Sequence, residues 1–229
     1  MFGRKTFSLD NRIVFPDLNT RTINGKRHYV TSDGAFAYPS VTTVLDHCAD
    51  KTHLFEWRKR VGEEEANRIS KRATNRGTAM HNLCEKYVLG EDMDFSSEMP
   101  STTMLFHQIK NVLDRKVDNV YCIEDVLISH KLKVAGRVDM IAEYEDQISI
   151  IDFKTSEKTK RKDWITDYFK QTSLYGYMFW EMTGIPIKKI VVIIACADSL
   201  EPQVFVESPS RYVEAAADSV KKYHKDVSC

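Results

Sequence analysis

Apolar and polar positions alternate with two different periods along this chain of 229 residues, and the switch between them outlines the fold. Residues 12–38 alternate over short runs broken by Asn24-Gly25 and Asp33-Gly34, which predicts short strands or a hairpin. Pro39-Ser40 then opens a helical stretch with Ser40 as N-cap, and spacing of three and four predicts helices at 41–48, 52–61, 63–73, 76–89 and 102–116. A polar loop fills 90–101. Strands are expected at 119–129, 134–144 and 147–154, followed by an amphipathic helix over 164–183 that ends at Gly184. The run IKKIVVIIAC at 187–196 reads as a buried strand, 202–206 as an edge strand and 209–225 as a last helix. Helices, three strands, helix, two strands, helix: that order predicts an α/β fold with a mixed central sheet flanked by helices, preceded by an N-terminal hairpin and helical region.

With 42% hydrophobic and 29% charged residues the chain can bury a full core, and no stretch approaches the ~18 apolar residues of a membrane span. No repeat or low-complexity linker divides it, so one domain is expected over 1–229, with 1–75 as the hairpin and helical part and 76–229 as the core. Residues 1–10 lack the apolar stretch of a secretory signal. The five cysteines, Cys48, Cys84, Cys122, Cys196 and Cys229, are scattered without a CxxC pair; a reduced intracellular protein without disulfides, zinc ribbon or iron–sulfur cluster is the expectation. The 33 basic and 33 acidic residues balance, yet basic ones gather at Arg58, Lys59, Arg60, Arg68, Lys71, Arg72 and Arg76, and again at Lys154, Lys158, Lys160, Arg161 and Lys162. Solvated faces explain such runs as readily as phosphate contacts do.

The chemistry concentrates in VAGRVDMIAEYEDQISIIDFKTS, residues 134–156. A tight turn on Glu145-Asp146 pairs Tyr144 with Gln147, and counting outward sets Asp139 opposite Asp152, with Cα atoms ~4.5–5.5 Å apart. Lys154 follows on the face of Asp152, about 6.6 Å further on. Opposed like charges destabilise a strand pair, and a divalent cation shared between the two carboxylates relieves them. An incidental acid pair on a solvent-facing hairpin is the alternative, and a one-residue slip in register separates the two acids. Gly77, His81 and Glu85 recur at helical spacing, which offers a close backbone approach, a metal ligand and a carboxylate to orient it, or else an exposed His–Glu pair. Gln171 and Tyr175 likewise share a helix face among core aromatics.

Taken in order, GTAMHNLCEKY, CIEDVLIS, GRVDMIAEY, IIDFKTSEK and QTSLYGYMF resemble the RecB-type branch of the PD-(D/E)XK nucleases. Within it the nearer likeness is to the group of mitochondrial genome maintenance exonucleases and their bacteriophage relatives, through DFKTSEK, AEY, YPSVTTVL and Trp57-Arg58. The resemblance implies a restriction-endonuclease-like core and a Mg²⁺- or Mn²⁺-dependent DNA exonuclease without an iron–sulfur cluster. It implies metal ligands at His81, Asp139, Asp152 and the Phe153 carbonyl, with Lys154, Glu124 and Gln171 also in the catalytic set. DNA contacts follow at Thr155, Tyr175, Ser40, Arg76 and Lys158, and residues 40–75, with Phe55 and Trp57 among their cations, would line a channel for single-stranded DNA unless those rings pack between helices. A monomer acting on single-stranded DNA, flaps or free ends, alongside replication, recombination or repair proteins, is the implied setting. The cytoplasm, of a host cell if the source is a phage, is favoured over the mitochondrial matrix. An endonuclease of the same fold, or a non-catalytic DNA-binding module, is the alternative.

Overall fold

The computed structural model describes residues 5–228, so Arg4 and Cys229 lie outside the described residues. Strands β1 (Asn19–Ile23), β2 (Lys26–Val30) and β3 (Ala37–Pro39) form a small antiparallel sheet. The β1–β2 turn places Asn24 and Gly25 at φ 51° and 73°, the left-handed pair that matches the twist of a two-residue hairpin. Helix α1 (Val41–Cys48) follows, its first turn closed by the Ser40 hydroxyl, which accepts from the Thr43 amide at 3.0 Å. Helix α2 (Thr52–Val61) buries none of its residues.

Where the sequence pattern predicts two helices, one runs unbroken: α3 (Glu63–Val88), 26 residues long. Gly77 costs a helix interior only about 1 kcal/mol relative to alanine. That is outweighed by the burial of Met80, Leu83, Cys84, Tyr87 and Val88, while Glu63, Glu64 and Glu65 suit the positive end. The N-terminal half of α3 is almost entirely exposed, so the helix is anchored at one end and projects at the other. Nothing stands within 4 Å of a Cβ built on Gly77, so the close approach expected there does not occur among the described residues.

Helix α4 (Pro100–Lys116) leads into β4 (Val117–Ser129), β5 (Val134–Tyr144) and β6 (Gln147–Ser156). A short 3₁₀ turn precedes α5 (Thr166–Thr183), which crosses to β7 (Lys189–Cys196); β8 (Gln203–Glu207) and α6 (Val213–Val227) complete the chain. The five strands lie in the order β4-β5-β6-β7-β8, with only β6 and β7 parallel. Helices α1, α5 and α6 cover one face through Val44, Phe169, Leu174, Met178 and Val220. Helices α3 and α4 cover the other through Met80, Leu83, Phe106 and Ile109. Cover on both faces is why β7 reads as an unbroken apolar run. No helix among the described residues is long and apolar enough to cross a membrane.

Candidate active site

The β5–β6 turn has Glu145 and Asp146 at φ 49° and 61°, and Tyr144 pairs with Gln147 as counted from the sequence. The ladder runs only to Met140↔Ile151. One step on, the Phe153 amide donates to Asp139 Oδ2 at 2.7 Å, so a side chain replaces a backbone partner. The acids emerge at this point. The β4–β5 pairs Ile123↔Met140 and Asp125↔Val138 put Glu124 opposite Asp139, so Glu124, Asp139 and Asp152 form a row across three consecutive strands. Glu124 holds its place at φ 54°, a left-handed conformation inside a strand. Such strain is characteristic of functional sites.

Helix α3 delivers His81 to this row. Nδ1 lies 2.9 Å from Glu124 Oε1 and 3.6 Å from Asp139 Oδ1, and Nε2 lies 2.9 Å from the Phe153 carbonyl oxygen. Burial alone would depress the imidazole pKa, but Asp139 and Glu124 outweigh it and raise it to about 9. A doubly protonated ring satisfies both contacts as a donor, and one nitrogen must release its proton before it can ligate a metal. The carboxylate that orients His81 is therefore Glu124; the sequence pattern pointed to Glu85, a helical turn away.

Asp152 is 1% exposed and Asp139 7%. Burial raises the Asp152 carboxyl to about 6 against the pull of Lys154, whose Nζ stands 2.5 Å from both carboxylate oxygens. Burial disfavours the Lys154 charge, and Asp152 and Asp139 overcome it, so the ammonium is held above its ordinary pKa. Gln171 on α5 donates to Asp152 Oδ1 at 3.2 Å, and Tyr168, one turn before it, sets its ring 5.2 Å from Lys154 Nζ. Tyr168 escaped the sequence reading, although Tyr168, Gln171 and Tyr175 fall on one helical face.

One nitrogen of His81 and single oxygens of Glu124 and Asp139 lie within 4.8 Å of one another. Nitrogen and carboxylate donors so close suit a divalent cation, and the Phe153 carbonyl beside His81 is a further donor. Asp152 Oδ2 is buried and meets the Lys154 ammonium as its partner among the described residues. The sequence reading placed one ion between Asp139 and Asp152. The three-donor cluster joins Asp139 to Glu124 and His81, while Lys154 and Gln171 hold the Asp152 carboxylate.

Other expected contacts fall elsewhere. Ser40 is 1% exposed and caps α1, so its hydroxyl serves the fold and not a ligand. Tyr175 is buried against Gly136, where an added Cβ would come within 2.8 Å of its ring, and so it does not face a substrate. Thr155 is half-buried beside Lys154, and Lys158 is exposed in the following loop. Within that basic run, Lys162 pairs with Glu207 and Arg161 with Asp163, which removes two of its cations as free phosphate contacts. Arg76 pairs with Glu157. Phe55 is 63% exposed, so its ring does not pack between helices.

The chain is 28% identical over 129 residues to the mitochondrial genome maintenance exonuclease 1 of Xenopus tropicalis, a match spanning 53% of this chain and 37% of that protein. The human protein of that name is 26% identical over 130 residues, with 53% and 38% covered, so the chain spans well under half the length of these relatives. A solved structure of a putative exonuclease from Eubacterium rectale shares 13% identity over 66% of each chain at a TM-score of 0.45. A family model described as the PD-(D/E)XK nuclease superfamily matches residues 108–225, more than half of the chain, from α4 through Glu124, Asp139, Asp152, Lys154 and Gln171 to α6. With a mixed five-stranded sheet between two helical layers and its acids in register on adjacent strands, the chain belongs to the PD-(D/E)XK nuclease superfamily.

Proposed function

We propose that this chain is a Mg²⁺- or Mn²⁺-dependent deoxyribonuclease that hydrolyses phosphodiester bonds from DNA ends, acting preferentially on single strands or flaps. The observation that carries this reading is the row Glu124, Asp139 and Asp152, with His81 and Lys154 against it. Exonuclease action draws further support from the names of the relatives. Single-strand preference draws on Phe55 and Leu54, which are exposed on α2 near Lys59 and Arg60; stacking surfaces amid cations suit unpaired bases.

His81, Glu124, Asp139 and the Phe153 carbonyl would hold the cation, with Asp152 bordering it. When bound, a divalent ion lowers the pKa of water and withdraws charge from a phosphate oxygen. The protein's own groups divide the remaining tasks. Lys154, fixed by Asp152 and flanked by Tyr168, sets a positive charge where the phosphorane develops negative charge, in a site partly screened from water. Asp152, its carboxyl raised to about 6 by burial, anchors the Lys154 ammonium through both oxygens while Gln171 holds Oδ1. Glu124 keeps the His81 ring in its orientation.

The test is digestion of end-labelled single-stranded, duplex and flap substrates with Mg²⁺ or Mn²⁺, beside Asp152→Ala and closed circular DNA. Linear substrates should shorten from an end, while circles and the variant reaction stay intact. Nicking of circles at the rate of linear cleavage would make the protein an endonuclease.

A further inference from the structure

Helix α3 has two functional flanks. His81 occupies one of them. On the other, Arg68, Lys71, Arg72, Asn75, Arg76 and Ala79 recur at intervals of three and four and face the segment Ser97–Met99 and the first turn of α4 across a cleft of about 450 Å³. At 3.6 residues per turn, His81 projects roughly half a turn away from the centre of that stripe. The helix body, ~10–12 Å across with its side chains, therefore stands between the catalytic row and the cleft.

Three features of the cleft converge on an anion. Arg76 is the deepest cation, with its side chain 10% exposed. Its terminal nitrogen meets Glu157, but its Nε is buried without a hydrogen-bond partner. A buried donor left unpaired is costly, and that cost is removed when a ligand oxygen supplies the acceptor. Opposite it, α4 opens at Met99 with no side-chain cap, and Ser101 and Thr102 line the cleft; Pro100 has no N–H and the Thr102 and Thr103 amides donate to the Met99 carbonyl, so this helix end offers the cleft its dipole and the Ser101 amide. Lys71 and Arg72 are exposed at the rim, and neither makes an ion pair among the described residues, whereas Arg68 is held by Glu65. Glu98 is the sole carboxylate of the lining.

The geometry points to a phosphate-binding site in this cleft, one that takes a backbone phosphodiester of the nucleic acid on the far side of α3 from the scissile bond. This rests on the reading of the chain as a DNA-processing protein and extends it. The substrate is gripped on both flanks of α3, so affinity depends on strand beyond the active site. Free inorganic phosphate shares the chemistry and is the other source of such a ligand.

Binding of a fluorescent single-stranded oligonucleotide is measured in EDTA by anisotropy across a salt series, for the wild type and for Lys71→Gln/Arg72→Gln. Each lost contact to a single strand removes about 0.7 from the slope of log K against log salt, so the double variant should lose about 1.4. The charge-preserving pair Lys71→Arg/Arg72→Lys should keep the wild-type slope, as should Lys222→Gln/Lys225→Gln on α6. Unchanged melting temperatures establish that folding is intact, as expected for two exposed side chains without partners. A wild-type slope in the glutamine double variant overturns the proposal. So does an equal loss in the α6 variant, which would mean charge alone and no site. Calorimetric titration of inorganic phosphate separates the sources: phosphate binding that Lys71→Gln/Arg72→Gln weakens, with the oligonucleotide slope untouched, assigns the cleft to free phosphate and overturns its role in strand binding. Cleavage with Mg²⁺ is scored separately. A wild type that binds with the expected slope yet cuts nothing defeats the nuclease reading and leaves the cleft standing.

Discussion

Glu124 places an ordinary residue in a glycine-like conformation, and the cost of doing so is measurable. At φ 54° its Cβ is crowded by its own backbone, which costs roughly 1–2 kcal/mol for an L-residue. In a normal strand, glycine is less stable than alanine by about 0.5–1 kcal/mol, because it loses more freedom on folding. Comparison of Glu124→Gly with Glu124→Ala isolates the backbone. Both variants lose the same carboxylate and the same 2.9 Å contact to His81, so those losses cancel. Subtracting the entropic cost from the relief of strain leaves glycine ahead by about 0–1.5 kcal/mol, about 0.75 kcal/mol at the middle of both ranges, the reverse of the usual order. At ~2–4 °C per kcal/mol for a chain of this size, that central value has Glu124→Gly melting about 1.5–3 °C above Glu124→Ala. Urea titration with matched m-values checks that the native state changes and not the denatured one. An alanine variant as stable as the glycine variant, or more so, would show that the left-handed backbone carries no strain. If the strain is retained for function, both variants should also lose cleavage, since His81 loses its orienting carboxylate.

Asp139→Ala and Asp152→Ala should each reduce cleavage of end-labelled DNA by at least about 100-fold, the scale on which single transition-state contacts act; residual activity within tenfold of wild type would remove the acid in question from the mechanism. EDTA should silence the protein and Mg²⁺ or Mn²⁺ restore it, whereas cutting that persists in chelator contradicts a metal role for His81, Glu124 and Asp139. Gly136→Ala drives a methyl group to 2.8 Å from the ring of Tyr175, which is fully enclosed and joined to Gln171 at 3.4 Å. Overpacking of this kind costs about 1–3 kcal/mol and should lower the melting temperature by several degrees; an unchanged melt refutes the tight contact. Glu207 is largely buried, which favours the neutral acid, yet Lys162 and Arg211 hold its carboxyl below the ordinary range. Its contribution to stability is thus present above the ordinary glutamate pKa and fades as pH falls through the lowered one. Urea denaturation should show Glu207→Gln less stable than wild type at pH 7, with the gap narrowing as pH falls below the ordinary glutamate range, and a gap independent of pH would refute the ion-pair account.

How much the sequence alone fixes follows from the range of the forces involved. Turn chemistry and side-chain alternation are local, and they determined the β5–β6 register from Tyr144↔Gln147 to Met140↔Ile151 and the cap at Ser40 from residues a few positions apart. The order of strands and helices followed equally from local periodicity. Other features needed the assembled molecule. No local pattern marks Glu124 as left-handed or as the partner of His81, because that contact joins residues 43 positions apart on different layers. Nor does it place Lys154 beneath Tyr168, bury Tyr175 under Gly136, or fuse two predicted helices through Gly77, since each outcome depends on what packs against the element. Charges behave likewise: the basic runs are visible in the chain, but only the fold decides that Lys162 finds Glu207 while Lys71 and Arg72, beside Arg76, make no ion pair among the described residues. Periodicity is carried by the backbone of each segment, whereas electrostatic partnership and close packing are properties of surfaces that meet only once the layers have come together.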